Sequence, residues 1–184
     1  MGILIVLILV AVVIVFYAVG LYNKFVRKRS MMEEGWSGID VQLKKRHDLI
    51  PNLVETVKGY AKHEQGTLEK VIQARNSALK ADGVKAQTQA ENQLNSALAN
   101  VFALSESYPD LKANTTFIQL QQELSNVEND LEKARRYYNA TVRENNIMVE
   151  SFPSNLIANP FNFRQGEFFE IEEPTERATP QVKF

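Results

Sequence analysis

Apolar and polar positions divide this chain into distinct regimes. From Ile3 to Tyr22 no residue is charged and nearly all are aliphatic or aromatic. At about 1.5 Å rise per residue the stretch reaches about 30 Å, the hydrocarbon thickness of a bilayer. Only a helix satisfies its own backbone polar groups in lipid, so the pattern predicts a transmembrane anchor over residues 1–23.

From Met31 to about Leu79 the apolar residues return at three- and four-residue steps, through Trp36, Ile39, Leu43, Ile50, Val54, Val57, Ala61, Leu68, Ile72 and Leu79. This is the stripe of an amphipathic helix, with Lys44, Lys45 and Arg46 among the residues expected on its wet faces. Pro51 cannot donate to the carbonyl of His47, which predicts a kink. Gly59 and Gly66 are further weak points, so the element reads as one bent helix or as two.

Asp82-Gly83 marks a turn. The helical period resumes from Val84 to Glu106 through Ala90, Leu94, Leu98, Val101 and Leu104. Ser107-Tyr108-Pro109-Asp110 breaks it, because proline pushes the preceding residue out of the α region. Asn114 is placed to cap the next helix. Phe117, Leu120, Leu124, Val127, Leu131, Ala134, Tyr138 and Val142 then form a coiled-coil-like seam ending near Val149. Beyond Phe152-Pro153, Ser154 would cap one short turn that Asn159-Pro160 ends. The rings of Phe161, Phe163, Phe168 and Phe169 predict a segment packed back on the bundle. Past Glu170 a mobile acidic tail is expected, with Val182 and Phe184 docking as a terminal clip.

The fold class that follows is all-α: an N-terminal transmembrane helix, then an antiparallel bundle of three to four long helices and a mostly irregular C-terminal tail. The expected divisions are an anchor over 1–23, a bundle over 24–151 and an extension over 152–184, part packed on the bundle and part mobile.

Charge fixes the expected topology. Lys24, Arg27, Lys28 and Arg29 follow the span, while only Met1 and Gly2 precede it. The positive-inside rule puts the N-terminus outside and the larger part in the cytoplasm of a single-pass inner-membrane protein. A cleaved signal peptide would want a basic region before its apolar core. The net charge of −1 argues against a general nucleic-acid binder. With no cysteine, disulfides, thiolate catalysis and cysteine-based zinc sites are ruled out.

Little in the pattern points to catalysis. His63-Glu64 opens like a zinc-protease motif, but Thr67 stands where its second histidine belongs. His47 and His63 read as partly exposed helix residues. No nucleophile elbow, phosphate-binding glycine loop or dinucleotide fingerprint occurs, so no cofactor and no enzyme activity are expected. Two stretches stand out as candidate interaction sites. In one, the expected reading is a structural kink at Pro51, the sharper alternative being a notch that gathers His47, Asp48, Asn52 and a freed carbonyl. In the other, Arg135, Arg136 and Tyr137 would form an amphipathic edge beside a core Tyr138. Trp36, in the first stripe, joins them as a candidate contact residue.

At these residues the chain resembles the LemA family. The likeness rests on Trp36, the run from Gln42 to Tyr60, His63-Glu64, Ala74-Arg75, Tyr108 to Asn114, Arg136 to Asn139, Phe152 to Ala158 and the closing Pro180, Val182 and Phe184. The family pattern has glycine where Asn162 stands. The resemblance implies a bacterial membrane protein with a short outside N-terminus and a cytoplasmic helical bundle. It implies no catalytic residues or cofactor. Some relatives are encoded beside membrane zinc metalloproteases, which implies envelope quality control as a setting. The leading expectation is a non-enzymatic membrane-anchored scaffold that binds protein partners and self-associates into a homo-oligomer. The alternatives are a protein that binds lipid surfaces or remodels membranes through Lys24–Arg29, and an adaptor for a membrane metalloprotease.

Overall fold

A computed structural model describes residues 1–170, so the expected clip at Val182 and Phe184 and the expected mobile tail lie outside the described residues. The protein is all-α. Its helices are α1 (Gly2–Tyr60), α2 (Gln65–Lys80), α3 (Val84–Ser105), the short α4 (Pro109–Lys112), α5 (Thr115–Glu150) and the short α6 (Asn155–Ala158). No strand occurs among the described residues.

The breaks follow local chemistry. The first amphipathic pattern is two helices, parted over residues 61–64 between the two suspect glycines. Gly83 adopts φ +81°, a conformation that costs glycine nothing and other residues much. Pro109 opens α4 at its first position, where its missing amide is not needed. The Asn114 side-chain oxygen accepts the Phe117 amide at 2.9 Å, the expected cap, worth about 1 kcal/mol. Ser154 precedes α6 without capping it. Its hydroxyl instead donates back to the carbonyls of Met148, at 2.6 Å, and Ser151, at 2.9 Å.

The chain forms two compact units. One is built from Met1–Asp40 and Glu132–Phe168. Its N-terminal stretch is apolar on every side, and none of the most apolar window of α1 is buried by protein. Such a surface in water would be strongly unfavourable and in lipid it is satisfied, so by length and composition this stretch is suited to cross a membrane. The first fully buried residue of α1 is Phe25, which stacks on Phe163 at 4.7 Å between ring centroids. Ala158 completes this small core, with Ile157, Met148 and Val149 against it. Further along, Trp36 packs on Tyr138 at 5.5 Å. A Cβ on Gly35 would stand 3.1 Å from the Tyr138 Cα, tighter than ordinary contact, so glycine here favours the close approach of the two helices.

The other unit is centred on Val41–Leu131. Its core takes Ile50, Leu53, Val54, Val57 and Ala61 from α1, Leu68, Val71 and Ala74 from α2, Leu94, Leu98 and Val101 from α3, and Leu111 of α4. Phe117, Leu120 and Leu124 of α5 close it. Each large side chain buried here contributes about 1.5–3 kcal/mol of transfer free energy. Ile72 and Leu79, expected in the stripe, are exposed, while Val71 and Ala78 are buried. Three- and four-residue steps from Leu68 both fit a helical period, and the buried face of α2 takes the three-residue step to Val71 and runs on through Ala74 and Ala78.

Candidate functional site

The most concentrated chemistry lies inside the second unit. Arg46 and His47 are neighbours on α1, and both are buried, at 6% and 4% exposure. Gln87, Glu91 and Asn95 recur every four residues and so share one face of α3. Glu91 is fully buried, and its carboxylate is the hub. Arg46 Nη1 reaches Oε2 at 3.2 Å, while His47 Nε2 and Gln87 Nε2 reach Oε1 at 2.8 and 2.9 Å. The other arm of the guanidinium, Nη2, donates to Asn95 Oδ1 and pairs with Glu128 Oε2 of α5 at 3.3 Å. Arg46 and His47 were expected on wet or partly exposed faces. The reason they are not is Glu91, which gives a buried cation its partner.

A cavity of about 340 Å³ adjoins this cluster. Arg46, Asn95, Gln121, Ser125 and Glu128 give it polar walls, and Leu98, Phe102 and Leu124 apolar ones. The guanidinium there is already engaged by Glu91, Asn95 and Glu128. No histidine is among the lining residues to activate Ser125. Among the described residues no group of three or more His, Asp or Glu is placed to hold a metal ion.

The notch weighed as an alternative at Pro51 is not assembled. α1 continues through Pro51 without interruption, and Pro51, Asp48 and Asn52 are all exposed. Asp48 pairs with Lys44 at 3.0 Å, and the Asn52 carbonyl accepts the Thr56 hydroxyl at 2.8 Å. Of that group only His47 joins the cluster. Its carbonyl, which proline leaves without a helical partner, accepts Arg75 Nε of α2 at 2.7 Å.

The remaining candidates lie in the first unit. Arg136 is exposed and pairs with Glu132, and Tyr137 is exposed beside it. Arg135 is half-buried, as is Trp36 on its tyrosine. Of the basic residues, Lys28 pairs with Glu144 and Arg29 approaches Glu33 at 3.8 Å, while Lys24 and Arg27 are exposed. The hydrogen bond and charge of Lys28 hold the Glu144 carboxyl below its usual range.

Sequence reasoning missed a second device here, by which α5 holds the C-terminal segment. Asn146 makes a two-point contact with Gly166, accepting its amide at 2.8 Å and donating to its carbonyl at 3.0 Å. Asn145 donates to the Arg164 carbonyl and the Tyr138 hydroxyl to that of Glu167, each at 2.9 Å. Burial, and then the Glu167 charge, push the Tyr138 hydroxyl above its ordinary range. The available signal was polar: Asn145 follows the seam at the three-residue step from Val142.

A profile described as the LemA family matches residues 35–184. Protein LemA of Metamycoplasma hominis is 26% identical over 159 residues, covering 86% of this chain and 73% of that protein. Magnetosome protein MamQ 2 of Paramagnetospirillum magneticum is 24% identical, covering 88% of this chain and 70% of that one. Magnetosome protein MamQ of Magnetospirillum gryphiswaldense is 23% identical with the same coverages. None of these names denotes an enzyme. With its profile spanning the packed part of both units, the chain belongs to the LemA family.

Proposed function

We propose that this protein is a non-enzymatic, membrane-anchored helical scaffold of the bacterial cell envelope that binds protein partners, further copies of itself included. Its N-terminus lies outside and its bundle in the cytoplasm, held against the inner membrane by the single span. The observation that carries this reading is the closed state of the only dense polar cluster among the described residues. Glu91 is met by three donors and Arg46 by three acceptors, so the cluster fixes helices instead of presenting reactive groups. The exposed Arg136 and Tyr137 offer the kind of side chains that interfaces favour.

The test is the mass of the full-length protein in mild detergent, by light scattering corrected for the micelle, with crosslinking in intact membranes beside it. A discrete oligomer or a stoichiometric crosslinked partner is expected. A monomer that crosslinks to nothing would overturn the reading.

A further inference from the structure

The segment after α5 is unusual for what it leaves open. From Ser151 to Phe163 it carries no charge, and Phe152, Leu156 and Phe161 are 79%, 61% and 57% exposed. Three large apolar groups so close together on an uncharged stretch make a patch that water does not suit.

Its position says what covers it. Ile157 and Phe161 form an apolar cleft with Val15, Ala18, Val19 and Tyr22, residues that share one face of α1. Phe161 meets the Tyr22 ring edge-on at 5.1 Å, and Phe163 meets it at 5.5 Å. Val15 to Tyr22 are the last two turns of the apolar span, about 10 Å of helix. A bilayer that covers those turns must also reach the segment lying on them. The depth agrees with that of interfacial elements, which bury an apolar face about 5–10 Å into the headgroup and acyl boundary.

We propose that Phe152–Phe161 is a second membrane-contacting element. It inserts Phe152, Leu156 and Phe161 into the interfacial layer of the bilayer that α1 spans. The inference rests on α1 being embedded, and it adds a lipid contact more than a hundred residues away in sequence. The ligand is the bilayer itself; a second copy or another protein on the same patch is the competing outcome.

Because the chain lacks cysteine, single-cysteine variants can carry a nitroxide label without background. Full-length Val10→Cys, Ser37→Cys, Phe152→Cys and Leu156→Cys would be reconstituted in phosphatidylcholine–phosphatidylglycerol vesicles. Accessibility to oxygen and to a water-soluble nickel chelate would then be read by electron paramagnetic resonance. Val10 should report lipid and Ser37 water. Labels at 152 and 156 should favour oxygen several-fold over the Ser37 ratio. Labels at both that match Ser37 while Val10 reports lipid would overturn this proposal alone. Labels shielded from both reagents would place protein on the patch and overturn it too. A Val10 label in water would remove the embedded span and this inference with it.

Discussion

Arg75 Nε donates to the His47 carbonyl at 2.7 Å, across from α2 to α1. That carbonyl is the one Pro51 cannot serve, so a side chain from another helix replaces a backbone donor. The contact turns a break in the helical ladder into a tie between two helices. It predicts coupling between residues 51 and 75. Arg75→Ala should cost about 1–3 kcal/mol by leaving the carbonyl unpaired. In a Pro51→Ala background, where the amide of residue 51 takes over, the same substitution should cost clearly less. A double-mutant cycle by denaturant unfolding measures this, and strict additivity would refute it.

Glu91 holds the cluster, so Glu91→Ala should destabilise by about 3–5 kcal/mol, since it strands a buried guanidinium. Arg46→Met with Glu91→Leu should recover most of that loss by removing both charges together. Circular dichroism melts of the two variants decide it. An equal loss in both would mean the polar cluster stabilises beyond its ion pairing.

Gly35 and Gly38 make a matched pair on α1. A Cβ at Gly35 meets the Tyr138 backbone at 3.1 Å, whereas one at Gly38 meets nothing within 4 Å. Gly38→Ala should stabilise by about 0.5–1 kcal/mol through helix propensity. Gly35→Val should cost about 1–3 kcal/mol, because backbone must move. Thermal unfolding in detergent separates the two signs.

Lys28 and Glu144 give a pH dependence. Glu144 titrates below its usual range when folded, so its contribution is present above the ordinary glutamate value of 4.5. It fades as pH falls through the depressed value. The melting temperature of the native protein should therefore drop further between pH 7 and pH 3 than that of Glu144→Gln. The gap should narrow as pH falls, and about 1 M salt at pH 7 should shrink it because the pair is exposed.

The helices were readable because their apolar stripes and breakers are local. Asp82-Gly83, Pro109 and Asn114 each act within a turn or two of themselves. The buried cluster was not readable. Arg46 sits in a Lys-Lys-Arg run that looks like solvated surface, and its partner Glu91 comes 45 residues later. Only tertiary packing brings them together. The choice of Val71 over Ile72 likewise depends on packing, because three- and four-residue steps from Leu68 both fit a helical period. Asn162 is an intermediate case: its φ of +56° is the left-handed conformation that glycine takes most easily. Asparagine is among the few other residues that take it readily.

The first unit draws on both ends of the chain, Met1–Asp40 and Glu132–Phe168. During biosynthesis its two halves leave the ribosome roughly ninety residues apart. At about 5–20 residues per second the interval is several seconds or more. In that time Phe25 of α1 still lacks Phe163, Ala158 and the α5 residues Met148 and Val149. The newborn protein thus passes through a stage in which an inserted anchor carries an uncovered apolar face. A stop codon before residue 132 would leave the chain at that stage permanently.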